Sequence, residues 1–88
     1  MSAIHIEVLT SPVCVSCKEF VLFWESISSD WAQVTMREVS LLTPEGQELA
    51  LKHRVFASPG IIINEELFAS GGFSKKELLN KLQALSLS

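Results

Sequence analysis

Two hydrophobic periods meet at a proline near the start of this chain, and that junction restricts the fold more than any other feature. Residues 3–9 carry Ala3, Ile4, Ile6, Val8 and Leu9, alternating and then running apolar, which is the pattern of a largely buried strand. Ser11-Pro12 breaks the run. Pro12 lacks an N–H and disfavours helix in its predecessor, so a following helix begins at or beyond residue 13. Over residues 14–28, Cys17, Phe20, Val21, Phe23, Trp24 and Ile27 fall on one broad stripe at helical spacing. Ser28-Ser29-Asp30 ends that stripe. Gln33 to Leu41, with Val34, Met36 and Val39 among polar residues, predicts a second strand. Two strands joined by a helix pair parallel through a right-handed crossover.

The remaining elements carry their own start and stop signals. Thr43-Pro44-Glu45 places a hydroxyl cap, a proline at the first helical position and an acid in the first turn, predicting a helix to about His53. Ile61-Ile62-Ile63 is a short β-branched run, Asn64-Glu65-Glu66 a loose turn, and Leu67-Phe68-Ala69 a second short strand, together a hairpin ended by Gly71-Gly72. Ser74-Lys75-Lys76-Glu77 is a capping box before Leu78, Leu79, Leu82 and Leu85. The expected order is β-α-β-α-β-β-α in an α/β fold, with a mixed sheet whose hairpin is antiparallel.

Eighty-eight residues suit one domain, 1–88, because halves of this chain would be too small to bury a core. A formal charge of -3 without a basic cluster argues against nucleic acid or acidic membranes as partners, since both are electrostatically led by Lys and Arg. The first ten residues have no cationic region and read as a strand rather than a signal peptide. No apolar stretch approaches the ~18–20 residues needed to cross a bilayer. The expectation is a cytoplasmic monomer, in a compartment where lasting structural disulfides are rare.

Under those conditions Cys14 and Cys17, three apart, point to chemistry more than to stapling. Positions i and i+3 of a helix share a face with Cβ atoms about 5–6 Å apart. That is slightly wide for a disulfide, and the adjustable first turn of a helix lets the bridge form and reopen. Cys14 falls where strand gives way to helix, and the unpaired N–H groups and positive dipole end there favour an anion. Such placement lowers a thiol pKa from ~8.5 toward ~3.5–7.5. Cys17, a turn inside on the core-facing stripe, is expected to be less exposed and less ionised. Cys14 then attacks and Cys17 resolves. The alternatives are two inert buried cysteines or half of a zinc site. Zinc needs about four ligands, and His5 and His53, the other soft candidates, sit in separate elements.

At this point the sequence resembles the thioredoxin superfamily in its minimal form, close to the short glutaredoxin-sized redox-active disulfide proteins of prokaryotes. The likeness covers nearly the whole chain. It rests on Glu7-Val8-Leu9 leading to Cys14-Val15-Ser16-Cys17, on Val55 to Asn64 with Ser58-Pro59-Gly60 inside it, and on Ser70-Gly71-Gly72 before the last helix. The resemblance implies a four-stranded sheet of order 2-1-3-4, with the first and last helices on one face and the middle helix on the other. It implies a cis Ser58–Pro59 bond, with Pro59 beside the sulfurs and the Ser58 backbone pairing with a substrate peptide. It also implies a dithiol that needs no bound cofactor or metal, acts on protein disulfides, and is re-reduced by a flavoprotein of the thioredoxin-reductase type or by glutathione.

Departures from the family pattern bear on the chemistry. Val15-Ser16 is neither Gly-Pro nor Pro-Tyr, and it occupies the place where reduction potential is tuned. Val8 stands where thioredoxins carry a buried Asp, and Glu7 beside it points to the opposite face, as a partly exposed strand residue. Gly71-Gly72 is followed by Phe73-Ser74-Lys75-Lys76 rather than by acids, which weakens the case for glutathione; a plain turn into the helix also accounts for the glycines. Val13, Val15 and Leu22 fall off the core stripe and, with Phe56 and Phe73 nearby in the family arrangement, form an apolar collar around Cys14 or are scattered surface hydrophobes. Two further functions stay open: a glutathione-regenerated glutaredoxin-like enzyme, and a non-catalytic redox-sensing, metal-carrying or cluster-carrying module.

Overall fold

The first strand, β1 (Ile4–Thr10), runs through the middle of the molecule and is followed by α1 (Val15–Ile27), with a single 3₁₀ turn over Ser28–Asp30. Next come β2 (Val34–Ser40), α2 (Pro44–His53), β3 (Gly60–Ile63), β4 (Glu66–Ser70) and α3 (Lys75–Ser86). These elements belong to a computed structural model that describes residues 3–87. Met1, Ser2 and Ser88, part of the expected domain bounds, lie outside the described residues. The sheet has the order β2-β1-β3-β4 implied by the resemblance. β1 pairs in parallel with β2 from Ile4↔Val34 to Thr10↔Ser40, and β3 joins it antiparallel from Ile6↔Ile63 to Leu9↔Gly60.

Both faces of β3 are covered, which explains why it reads as a continuous apolar run, whereas β1 alternates until Val8-Leu9. On one face Ile4, Ile6, Val8, Ile61 and Ile63 pack against Phe20 and Trp24 of α1 and Leu78 and Leu82 of α3. On the other, Leu9, Val39, Val55 and Ile62 meet Leu49 and Ala50 of α2. Glu7 lies on this second face and is ion-paired with Arg37, whose other nitrogen is 2.8 Å from Glu45 at the start of α2. The two carboxylates hold the exposed Arg37 guanidinium more firmly protonated than usual. Among the described residues no helix is long and apolar enough to cross a membrane.

The caps form where the sequence placed them. Thr43 Oγ1 accepts from the Gly46 N–H at 3.1 Å, and Ser74 Oγ accepts from the Glu77 N–H at 3.2 Å. Gly46 carries a further constraint: a Cβ there would lie 2.0 Å from the Ser40 carbonyl oxygen, so only glycine lets α2 approach the end of β2.

The hairpin differs from its expected form in two ways. Its turn is tight, only Asn64-Glu65, with φ of 50° and 66°, and Glu66 pairs with Ile63 as part of the strand. Two left-handed residues match the twist of the flanking strands. Asn64 also locks the turn to β1, donating its N–H to the His5 carbonyl and accepting the His5 N–H on Oδ1, both at 2.8 Å. Secondly, Ile61 opposes Ala69 while Ile62 opposes Leu67, so Phe68 is an extra residue bulged into β4. The bulge leaves Phe68 packed against the core shared by α1 and α3.

Candidate active site

The cysteine pair occupies the strand-to-helix junction. Cys14, with extended φ/ψ of -138° and 102°, is the cap of α1, and its Sγ accepts from the Cys17 N–H at 3.1 Å. A sulfur therefore takes the role that a hydroxyl or carboxylate oxygen fills at most helix starts. Its carbonyl accepts from the Lys18 N–H, opening the helical ladder. The two cysteines are joined as a disulfide with Cα atoms 5.2 Å apart. Cys14 is half-buried, whereas Cys17 retains only 4% exposure among core residues. Cys14 is thus the more exposed residue of the two.

Ser58–Pro59 is cis, and Pro59 is fully buried. Ser58 is tied to the segment before the cysteines by a 2.8 Å hydrogen bond between its Oγ and that of Ser11. Gly71 donates its N–H to the Pro59 carbonyl at 3.0 Å. With φ of 85° and a would-be Cβ 3.2 Å from the Ala57 methyl, Gly71 fits a backbone that other residues strain to adopt. Ser58, Pro59 and Gly71 are thus joined into one unit. Gly72 sits next to it, but nothing lies within 4 Å of where its Cβ would be.

Val13 is 95% exposed, and Val15 and Leu22 are also largely open, as is Phe56 at 89%. Phe73 is half-buried. Its ring meets Phe20 edge-on at 5.1 Å and Phe23 at 6.0 Å, because it closes the gap between α1 and the start of α3. It packs against the edge of the core without being fully buried.

An open cavity of about 330 Å³ lies beside the disulfide. Thr10 and Ser11 at the end of β1 line it, together with both cysteines. Lys18, Val21 and Leu22 of α1 and Glu38 of β2 complete the wall. Ser11 and Glu38 are site residues that the sequence did not single out. The parallel register supplies the signal for Glu38: it pairs with Val8, whose side chain faces α1, so its carboxylate is on that same face. Glu7 is on the other side of the sheet, bound to Arg37, as its position beside Val8 implied. His5 shares a 2.8 Å hydrogen bond with Thr35. Among the described residues no three His, Cys, Asp or Glu side chains converge as metal ligands.

Residues 4–84 match the family model described as "Thioredoxin domain". No curated protein matches the sequence. Among solved structures, oxidised thioredoxin O2 from Arabidopsis thaliana is similar with a TM-score of 0.75 at 18% identity, over 96% of this chain and 76% of that one. A protein disulfide oxidoreductase from Aeropyrum pernix gives 0.78 at 25% identity, over 96% of this chain and 38% of the other. Oxidised thioredoxin from Plasmodium falciparum gives 0.70 at 17% identity, over 96% and 82%. The two thioredoxins, at such low identity, establish the fold alone. Together with the Cys14–Cys17 pair, the family match supports thiol–disulfide oxidoreductase chemistry in general.

Proposed function

The chain belongs to the thioredoxin-domain family, and on that footing we propose that it reduces or exchanges disulfides in other proteins, with Cys14 as nucleophile and Cys17 as resolving thiol. The observation that carries this reading is the unequal burial of two cysteines bonded across the first turn of α1. In the reduced form, the Cys14 thiolate attacks one sulfur of a substrate disulfide. The Cys14–substrate bond forms, the substrate S–S bond breaks, and the departing thiolate takes a proton. Cys17 then loses its proton and attacks the Cys14 sulfur. The intramolecular disulfide forms and the second substrate thiol leaves, so two electrons pass to the substrate.

The Ser58 backbone offers the incoming peptide a strand-like partner. Val13 and Val15 supply an apolar rim, and Gly71 and Gly72 keep the approach free of side chains. Two electrons from a flavoprotein of the thioredoxin-reductase type restore the dithiol. We place this activity in the cytoplasm, in a monomer.

A coupled assay tests the reading, with insulin as the protein disulfide and NADPH oxidation as the signal. Turnover is expected with a thioredoxin-reductase-type flavoprotein, and both cysteines should be required. Turnover only with glutathione and glutathione reductase would assign the chain to the glutaredoxin-like alternative. No turnover with either system, accompanied by visible absorption or bound metal in the purified protein, would replace catalysis with a carrier role.

A further inference from the structure

Ring closure leaves one proton without an assigned acceptor. Cys17 must give up its thiol proton when it attacks Cys14, yet it is 4% exposed, and burial disfavours the thiolate. The cavity beside it is the route outward. Lys18 of α1 and Glu38 of β2 are the charged side chains lining that cavity. His5, Glu7, Arg37 and Glu45 cluster on the opposite face of the sheet, around the Glu7–Arg37–Glu45 ion pairs. A lysine ammonium has donors and no acceptor, whereas a carboxylate is an acceptor only. About 330 Å³ holds several waters at roughly 30 Å³ each, and the hydroxyls of Thr10 and Ser11 in the wall can orient them.

We propose that Glu38 is the proton acceptor for Cys17 during ring closure, working across the cavity through water. The inference rests on Cys14 attacking and Cys17 resolving. As the Cys17 sulfur bonds to Cys14 and the substrate sulfur leaves, the Cys17 proton passes through water to the Glu38 carboxylate and from there to solvent. The departing thiolate is protonated separately from bulk water. In the reverse direction, when the disulfide is reduced, protonated Glu38 returns the proton to the leaving Cys17 sulfur. The exposure of Glu38 suits both directions, since its side chain is open to solvent as well as to the cavity. The register also shows how the site has a carboxylate although β1 carries Val8: the next strand over supplies it, at the paired position.

The test uses the reduced protein and dipyridyl disulfide, an uncharged probe that releases one coloured thione when Cys14 attacks and a second when Cys17 resolves. It needs no protein substrate. Failure of insulin turnover therefore leaves this measurement intact, and the two readings fail separately. Glu38→Gln should leave the first phase within about twofold of the unaltered protein. It should slow the second by on the order of tenfold at pH 7, less than the 10²–10⁴ of a directly bonded base because the transfer is relayed. That deficit should shrink as pH rises and hydroxide removes the proton instead. Glu38→Asp should restore part of the rate, and Glu19→Gln, the same charge change on exposed α1 surface, should alter neither phase. A second phase that is unchanged in Glu38→Gln would overturn the proposal. So would a deficit equal at every pH, which would mark a structural effect.

Discussion

Replacing Cys17 with serine should turn the chain into a trap that accumulates mixed disulfides through Cys14, whereas Cys14→Ser should abolish disulfide turnover. The reason is geometric. Cys14 is half-buried at the mouth of the site, caps α1 and receives the Cys17 N–H, so it can meet an incoming disulfide. Cys17 sits in the core with 4% exposure and reaches the Cys14 sulfur far more readily than a sulfur on another protein. Removing the attacking sulfur should lower turnover by at least roughly 10³-fold, the scale on which loss of a nucleophile acts. Removing the resolving sulfur should leave the first attack intact and stop the cycle there. Non-reducing electrophoresis after mixing with a protein disulfide reads both outcomes. If Cys14→Ser formed the adducts and Cys17→Ser did not, the roles of the two sulfurs would be reversed.

Phe20→Ala should be the most damaging single change to stability. Phe20 follows Cys17 by three positions on α1, is fully buried, and meets Phe73 edge-on while packing over β1. Truncating a buried phenylalanine costs about 3–5 kcal/mol through lost burial and the cavity left behind. A domain of this size has only about 5–15 kcal/mol in total. At ~4–8 °C per kcal/mol, the melting temperature of the oxidised protein should fall by more than about 12 °C. Val15→Ala on the exposed side of the same helix should stay within about 0.5 kcal/mol of the unaltered protein. Urea denaturation of the two variants checks the contrast. A loss below about 1 kcal/mol for Phe20→Ala would mean that α1 is not anchored through this ring, and that the cysteines owe their placement to something else.

Features encoded locally are legible in the sequence itself. The Ile61-Ile62-Ile63 run, the Thr43-Pro44 and Ser74 helix starts and the Ser11-Pro12 break each express a rule that operates over a few residues, and each produced the expected element. The placement of Cys14 at the start of α1 and of Cys17 on its buried face was legible for the same reason, since helix start and core stripe are both local. The cis bond before Pro59 came from family resemblance alone.

What escaped depends on pairings between distant segments. The Ser11–Ser58 hydrogen bond joins residues 47 positions apart. Glu38 lines the cavity only because β1 and β2 pair in the register that sets it beside Val8. The Phe68 bulge is a mismatch in length between β3 and β4, and hydrophobic pattern does not record it. The ring contacts of Phe73 were likewise not legible. Its ring meets Phe20 and Phe23 between α1 and the start of α3, a contact set by packing between distant segments.

Catalysis of the proposed kind requires that the start of α1 make one thiol more acidic than the other. The pH dependence of iodoacetamide alkylation, measured on the reduced Cys17→Ser and Cys14→Ser variants, isolates each sulfur in turn. Cys14 should become reactive well below the ~8.5 of a free thiol, and Cys17 only above it. Coincident profiles for the two sulfurs, or a Cys14 that ionises no more easily than a free thiol, would contradict the role given to the helix start.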